Sequence, residues 1–149
     1  MRPLVLVLTT VMLLLISSIS TAQQSLTIGS TDILGLSEIT VSVTLDATAD
    51  VQGFVLAIGY DDSLVTATGL SPAGEASAAE LQVPEILTGG ATLGVVMDAN
   101  PPYSGSTISS GTGIEIAILS ITPKVVVTSD TTTMLTFADG TLNSPALSN

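Results

Sequence analysis

The sequence of 149 residues has room for one domain, and its composition is aliphatic and acidic, with 13 acidic side chains, two basic ones and a formal net charge of −11. Phosphate binding depends on Lys and Arg, so this charge balance argues against DNA, RNA and anionic membranes as partners. The chain has no Cys and no His, which excludes disulfides, thiolate metal ligands and nucleophilic triads built on an imidazole or a thiol.

The N-terminal segment 1–22 has the order of a secretory signal peptide. One positive charge is followed by an almost wholly apolar run over residues 4–16 and by small residues that end at Ala22. The alternative is an uncleaved membrane anchor, but a spanning helix needs about 20 apolar residues, and this run is shorter and contains two threonines. We therefore expect cleavage near Ala22, a mature domain of residues 23–149 and no membrane association after cleavage.

Alternating apolar and polar residues predict β-strands in the first half of the mature chain. Residues 25–29 are expected to form an edge strand, and residues 39–45 and 63–70 to form two more, with Leu64 and Val65 inside. Between them, the segment 53–60 has two different faces. One face carries Phe54, Leu56, Ile58 and Tyr60, and the other carries Val55, Ala57 and Gly59.

The middle of the chain contains one break in this pattern. Residues 72–80 permit a single helical turn and no long amphipathic helix. Pro84 limits the segment 81–87 to an edge strand or an extended segment, because proline cannot donate a ladder hydrogen bond. Residues 91–98 predict the next strand, in which the three apolar residues Leu93, Val95 and Met97 are in phase.

The last third begins with the longest irregular stretch, residues 99–113, which is rich in Pro, Ser and Gly. A strong strand is predicted over residues 114–122, with Ile114, Ile116 and Ile118 on one face, and a strand resumes at residues 125–128. A final strand is predicted over residues 131–137. Eight or nine short strands with turns between them are typical of an antiparallel β-sandwich, so the fold class is all-β.

The residues offer little support for catalysis or metal binding. Paired carboxylates can hydrolyse glycosides, but such sites have aromatic walls, and the chain has no Trp. Calcium accepts irregular oxygen clusters, and oxygen-rich turns occur at residues 61–63, residues 98–100 and Asp130, but none has the spacing of a calcium loop. We expect turn-forming roles for these residues, no cofactor and no enzymatic activity. Tyr103, in the long loop, is the one aromatic candidate for a carbohydrate contact.

A series of short motifs follows in order over nearly the whole mature chain. The first motifs are Ile28-Gly29, the alternating run 39–46, Gly59-Tyr60-Asp61, Leu64-Val65 and residues 69–74; the later ones are Ser110-Gly111, residues 115–119 and Phe137-Ala138-Asp139-Gly140. In this order the motifs resemble the cohesin domain family, and the Gly-Tyr-Asp turn with a following Leu is the most specific of them.

The resemblance implies a nine-stranded jelly-roll sandwich related to carbohydrate-binding modules. It also implies a non-catalytic, secreted bacterial protein at the cell exterior or surface, which binds dockerin-like proteins and takes part in the degradation of polysaccharides. By the same resemblance, the partner-binding positions are Gly53, Val55, Ala57 and Gly59. Members of the family usually carry polar side chains at two of these positions, so this chain departs from the pattern.

Two alternatives remain open from the residues. A carbohydrate-binding module of the same fold would use Tyr103 and bind polysaccharide, since exposed aromatic rings are the usual contact with sugars. A structural or adhesive surface domain would use the sandwich as a spacer. Fold alone does not decide among these functions, because function depends on the site.

Overall fold

The computed structural model describes residues 24–33, 35–126 and 132–138. These residues form two antiparallel sheets of four strands each, with the strand orders β1-β2-β7-β4 and β5-β6-β3-β8. The strands are β1 Gln24–Ile28, β2 Ile39–Ala47, β3 Gly53–Gly59, β4 Val65–Pro72, β5 Leu81–Leu87, β6 Gly90–Val96, β7 Gly111–Pro123 and β8 Thr136–Phe137, and a short 3₁₀ helix spans Gly74–Ala78. The all-β sandwich is confirmed, with eight strands in the described part of the chain.

The core lies between the two sheets and is supplied by alternate residues, as the period of two predicts. In β2 every second residue from Val41 is buried, and β3 contributes Leu56 and Ile58 with no exposed surface. From β6, Leu93 and Val95 pack into the same cluster. Fully burying an aliphatic side chain of this size contributes about 1.5–3 kcal/mol, so these strands stabilise one another mainly through this layer.

The face predicted for β7 is wrong in its second half. Ile114 and Ile116 face the core, but Ile118 lies outward, and Ala117, Leu119 and Ile121 are the buried residues that follow. The cause is a shift in the pairing of β2 with β7 between Val43 and Thr44. Such a bulge adds one residue to one strand and moves the following side chains to the opposite face.

Several predicted boundaries also differ from the structure. β7 begins at Gly111, inside the stretch that was expected to be a loop. Residues 125 and 126 are not in a strand, and the last strand contains only Thr136 and Phe137. The predicted signal peptide, Asp130 and the tail from residue 139 lie outside the described residues. The helical turn expected within residues 72–80 is present as the 3₁₀ helix.

Carboxylates hold the long loop between β6 and β7. Each of five acidic side chains accepts hydrogen bonds from backbone N–H groups of this loop or, for Asp46, of the start of β7, and charge-assisted bonds of this type are stronger than neutral ones. Acidic residues therefore have a local structural role here. The pairs are Ala99 and Asn100 with Glu80, Gly105 with Asp98, Ser109 with Glu75, Ser110 with Asp50, and Gly113 with Asp46, at 2.5 to 2.9 Å.

Asp61 has the turn-forming role expected from its position after β3. Its Oδ1 accepts hydrogen bonds from the Ser63 hydroxyl at 2.6 Å and from the Ser63 N–H at 2.9 Å. These two hydrogen bonds hold the pKa of Asp61 below its ordinary value. The bond from the hydroxyl has the larger effect, and the bond from the N–H has the smaller one. Because the folded pKa is depressed, this contribution to stability is present at neutral pH and is lost as the pH falls through the folded pKa.

We predict that Ser63→Ala raises the pKa of Asp61 toward its ordinary value. The substitution removes the hydrogen bond with the larger effect on this pKa, and the backbone hydrogen bond remains. An NMR titration of the Asp61 carboxyl carbon measures the change. The same titration of the parent protein provides the reference. An unchanged Asp61 titration would show that the hydroxyl does not stabilise the carboxylate.

Candidate functional site

The outward faces of the two sheets differ in chemistry. The outward face of the β1-β2-β7-β4 sheet, here called the hydroxyl face, consists mostly of Ser and Thr side chains on neighbouring strands, with Ile118 and the carboxylates of Asp46 and Glu115 among them. The Ser42 hydroxyl donates a hydrogen bond to Glu115, so this face is polar and in part charged. The members of the hydroxyl face are Thr27, Thr40, Ser42, Thr44, Thr66, Ser71, Ser120 and Thr122.

The outward face of the other sheet is apolar over its first two rows, which we call the apolar face. In the first row Leu81 pairs with Val96, which pairs with Gly53, and in the second row Val83 pairs with Gly94, which pairs with Val55. The exposed fractions are 46% for Leu81, 54% for Val83, 38% for Val96 and 40% for Val55. Four half-exposed aliphatic side chains on adjacent strands form one contiguous patch, which is the candidate interaction site considered below.

The third row of this face is different. Glu85 pairs with Thr92, which pairs with Ala57. Thr92 and Ala57 are buried, while Glu85 is exposed at the sheet edge. The apolar face therefore ends at a carboxylate, and its accessible part is limited to the first two rows.

All four partner-binding positions predicted by resemblance lie on this outward face, but they differ in what they can contribute. Val55 offers an exposed side chain, whereas Ala57 has no accessible surface. Gly53 and Gly59 are half-buried, and a Cβ at Gly59 would be in ordinary contact with the Thr136 hydroxyl at 3.6 Å. Of the four, Val55 is thus the residue with a side chain that a partner can reach.

The sequence reasoning missed the other half of the apolar face. Leu81 and Val83 are two residues apart and therefore lie on the same face of β5. Gly94 and Val96 likewise lie on the same face of β6. The available signal was the spacing of two between them. What it could not give is the pairing of β5 with β6 and of β6 with β3, which brings these residues beside Val55.

Gly53 is explained by the close approach of two strands. A Cβ built at this position would lie less than 3.0 Å from the backbone carbonyl oxygen of Val95. Glycine permits such an approach because it has no Cβ. The fold itself therefore requires this glycine, independently of any partner.

Tyr103 is exposed and isolated from other aromatic rings. It is 72% exposed, whereas Tyr60 is buried and donates its hydroxyl to the Leu87 carbonyl at 3.0 Å. Phe54 and Phe137 pack against the core. Sugar-binding surfaces usually present several rings, so this chain offers a single one.

Within the described ranges, no group of three or more acidic side chains is placed to hold a metal ion. Asp61 is held in a turn, and Asp98 Oδ2 anchors the long loop, while Asp98 Oδ1 is buried without a hydrogen-bond partner among the described residues. No helix in the same part of the chain has the length and apolarity to span a membrane.

Comparison with known proteins supports the fold. No family model matches the sequence, and no curated protein matches it either. Among solved structures, a chain of a complex between a CaDoc0917 variant and CaCohA2, at pH 5.5, has a TM-score of 0.60 at 18% identity, with 80% of this chain and 84% of that chain covered. A chain of the Coh-OlpA-Doc918 complex, titled a novel type I cohesin-dockerin complex from Clostridium thermocellum, has a TM-score of 0.59 at 16% identity, with 77% and 81% covered.

These similarities confirm the cohesin-like fold that the sequence motifs predicted. At 16% and 18% identity they concern the fold, and the residues of the site have to be judged on their own geometry.

Proposed function

We propose that the protein is a non-catalytic module that binds a dockerin-like protein through the apolar face. The observation that carries the proposal is the contrast between the two outward faces. One sheet exposes hydroxyl side chains, and the other exposes Leu81, Val83, Val96 and Val55 in one patch. The cohesin-like fold and the cohesin-dockerin complex among its structural neighbours supply the class of partner.

The size of the patch sets what the partner has to supply. Fully burying an aliphatic side chain contributes about 1.5–3 kcal/mol. Since these four side chains are about half exposed, completing their burial contributes roughly 3–5 kcal/mol in total. A dissociation constant of about 1 μM corresponds to about 8 kcal/mol, so polar contacts around the patch, including one to Glu85, are needed as well.

Secretion and a link to polysaccharide degradation belong to the same proposal. The segment 1–22 has the features of a signal peptide, and the resemblance to cohesins implies an extracellular assembly of enzymes. In such an assembly this module would attach a partner protein and carry out no reaction itself.

Titration with purified dockerin-like proteins from the same organism, followed by calorimetry, tests the proposal. We expect a saturable complex with a negative heat-capacity change, which is the signature of apolar burial. Amide shifts in an NMR titration should concentrate on β3, β5 and β6. Binding that shifts only the hydroxyl face would contradict the assignment of the site, and the absence of any complex would contradict the class of partner.

The carbohydrate alternative leads to a different result in affinity gels that contain polysaccharide. Because Tyr103 is a single exposed ring, we predict that migration is the same in the presence and absence of polysaccharide, for the protein and for Tyr103→Ala. Retardation that Tyr103→Ala removes would favour a carbohydrate-binding module instead.

A further inference from the structure

Gly94 occupies a position where the fold does not require glycine. Its φ is not in the left-handed region, and a Cβ there would meet only the Val83 Cβ, at an ordinary contact distance of 3.9 Å. Glycine in the interior of a strand is less stable than alanine, because it loses more conformational freedom on folding. The close approach to Val95 explains Gly53, whereas the described residues give no such reason for Gly94.

The missing side chain leaves a hollow in the middle of the apolar face. Val83 and Val55 stand on either side of Gly94, on strands about 4.8 Å away. On β6 itself, Thr92 lies two residues before Gly94 and Val96 two residues after it, each about 7 Å away along the strand. We call this hollow, with its floor at Gly94 and its four walls, the Gly94 socket.

The surroundings of the socket indicate the kind of partner. The three strands across the socket span about 10 Å, which is the diameter of an α-helix with its side chains. Strands β3, β5, β6 and β8 carry no basic residue, and Glu85 lies on the row beside Thr92. Lys124, the one base of the described residues, directly follows β7 and pairs with Asp62.

Charge also argues against a second copy of the chain as the occupant. At a net charge of −11, two copies repel each other, whereas a basic partner is attracted. An amphipathic helix with an apolar stripe and basic flanks fits all three features. Its stripe would cover the aliphatic patch, and its basic side chains would be attracted to Glu85 and to the net negative charge.

We propose that the Gly94 socket receives one large aliphatic side chain from a basic amphipathic helix of the docking partner. The inference rests on the proposed function and adds to it the position that sets the register of the partner helix on the sheet. Because the first two rows of this face carry no polar side chain, a knob in a hole sets the register that hydrogen bonds would otherwise set.

The test uses two synthetic helices of about 20 residues, rich in Ala and Lys, with one aliphatic stripe whose central residue is Leu in one peptide and Ala in the other. Each is titrated into the isotopically labelled protein and into its Gly94→Ala and Gly69→Ala variants. Gly69 is a matched control on the other sheet, since a Cβ there would meet only the Ser120 Cβ at 3.9 Å.

We expect Gly94→Ala to be at least as stable as the parent protein and to bind the Leu peptide about tenfold more weakly, with the Ala peptide changed less than about twofold. Equal effects on both peptides, or none, would overturn the socket and leave the docking face intact. Peptides that shift no residue of β3, β5 or β6 would overturn the docking face as well. Dimerisation of the free protein through this face would overturn the helical occupant.

Discussion

Replacing Val83 by Lys is expected to weaken binding to a dockerin-like partner by about 100-fold, which corresponds to about 2.7 kcal/mol. Val83 is the most exposed of the four aliphatic side chains and pairs with Gly94 across the middle of the apolar face. A lysine there loses its hydration when the partner docks and is repelled by the basic flanks inferred for it. Calorimetric titration of the purified variant measures the loss.

The matched control is Thr40→Lys, which makes the same change of charge on an exposed strand position of the hydroxyl face. We expect its affinity to stay within about twofold of the parent, because isolated surface charges far from an interface contribute little. Both variants should unfold within a few degrees of the parent protein, as surface substitutions usually change stability by less than about 0.5 kcal/mol. Equal losses in the two variants would indicate an effect of net charge and would remove the apolar face as the site.

The central part of the fold is predictable from sequence because its signal is strictly local. In residues 39–45 the alternation alone identifies the core face of β2, and the structure confirms it. β7 shows where local reasoning ends. Its pattern of Ile114, Ile116 and Ile118 looks continuous. A bulge opposite Val43 and Thr44, however, turns the side chains after Ile116 to the opposite face of the sheet. A bulge depends on the partner strand, so no window of β7 alone contains it.

The candidate site divides in the same way. The outward residues of β3, including Val55, can be predicted from the alternation of side chains along the strand together with the family resemblance. Leu81 and Val96 become neighbours only through two non-local strand pairings. The significance of Gly94 also depends on tertiary space, since the sequence cannot distinguish a glycine that the backbone requires from one that it does not.

The role of the acidic residues was only partly predictable. Thirteen acids in a chain with few bases suggest solubility, which composition alone can support. The structure adds that Glu80, Asp98 and Glu75 accept backbone N–H groups from the long loop that carries Tyr103. These contacts join residues up to 34 positions apart, so they were invisible in the local pattern.

Gly53→Ala is expected to destabilise the domain by about 2–3 kcal/mol, because the added Cβ would lie less than 3.0 Å from the Val95 carbonyl oxygen. The obstacle is backbone, which cannot rotate away as a flexible side chain would, so β3 and β6 have to separate locally. For a domain of this size the loss lowers the melting temperature by roughly 10 °C. Thermal and urea denaturation, analysed together, measure it.

Gly94→Ala is the control that isolates the steric cause, since it places the same methyl group on the same face of the same sheet without a clash. If the two variants melt together, the close approach at Gly53 does not limit stability. If only Gly53→Ala melts early, the two glycines of the apolar face have different origins. One is then required by strand packing, and the other remains free to be used for recognition.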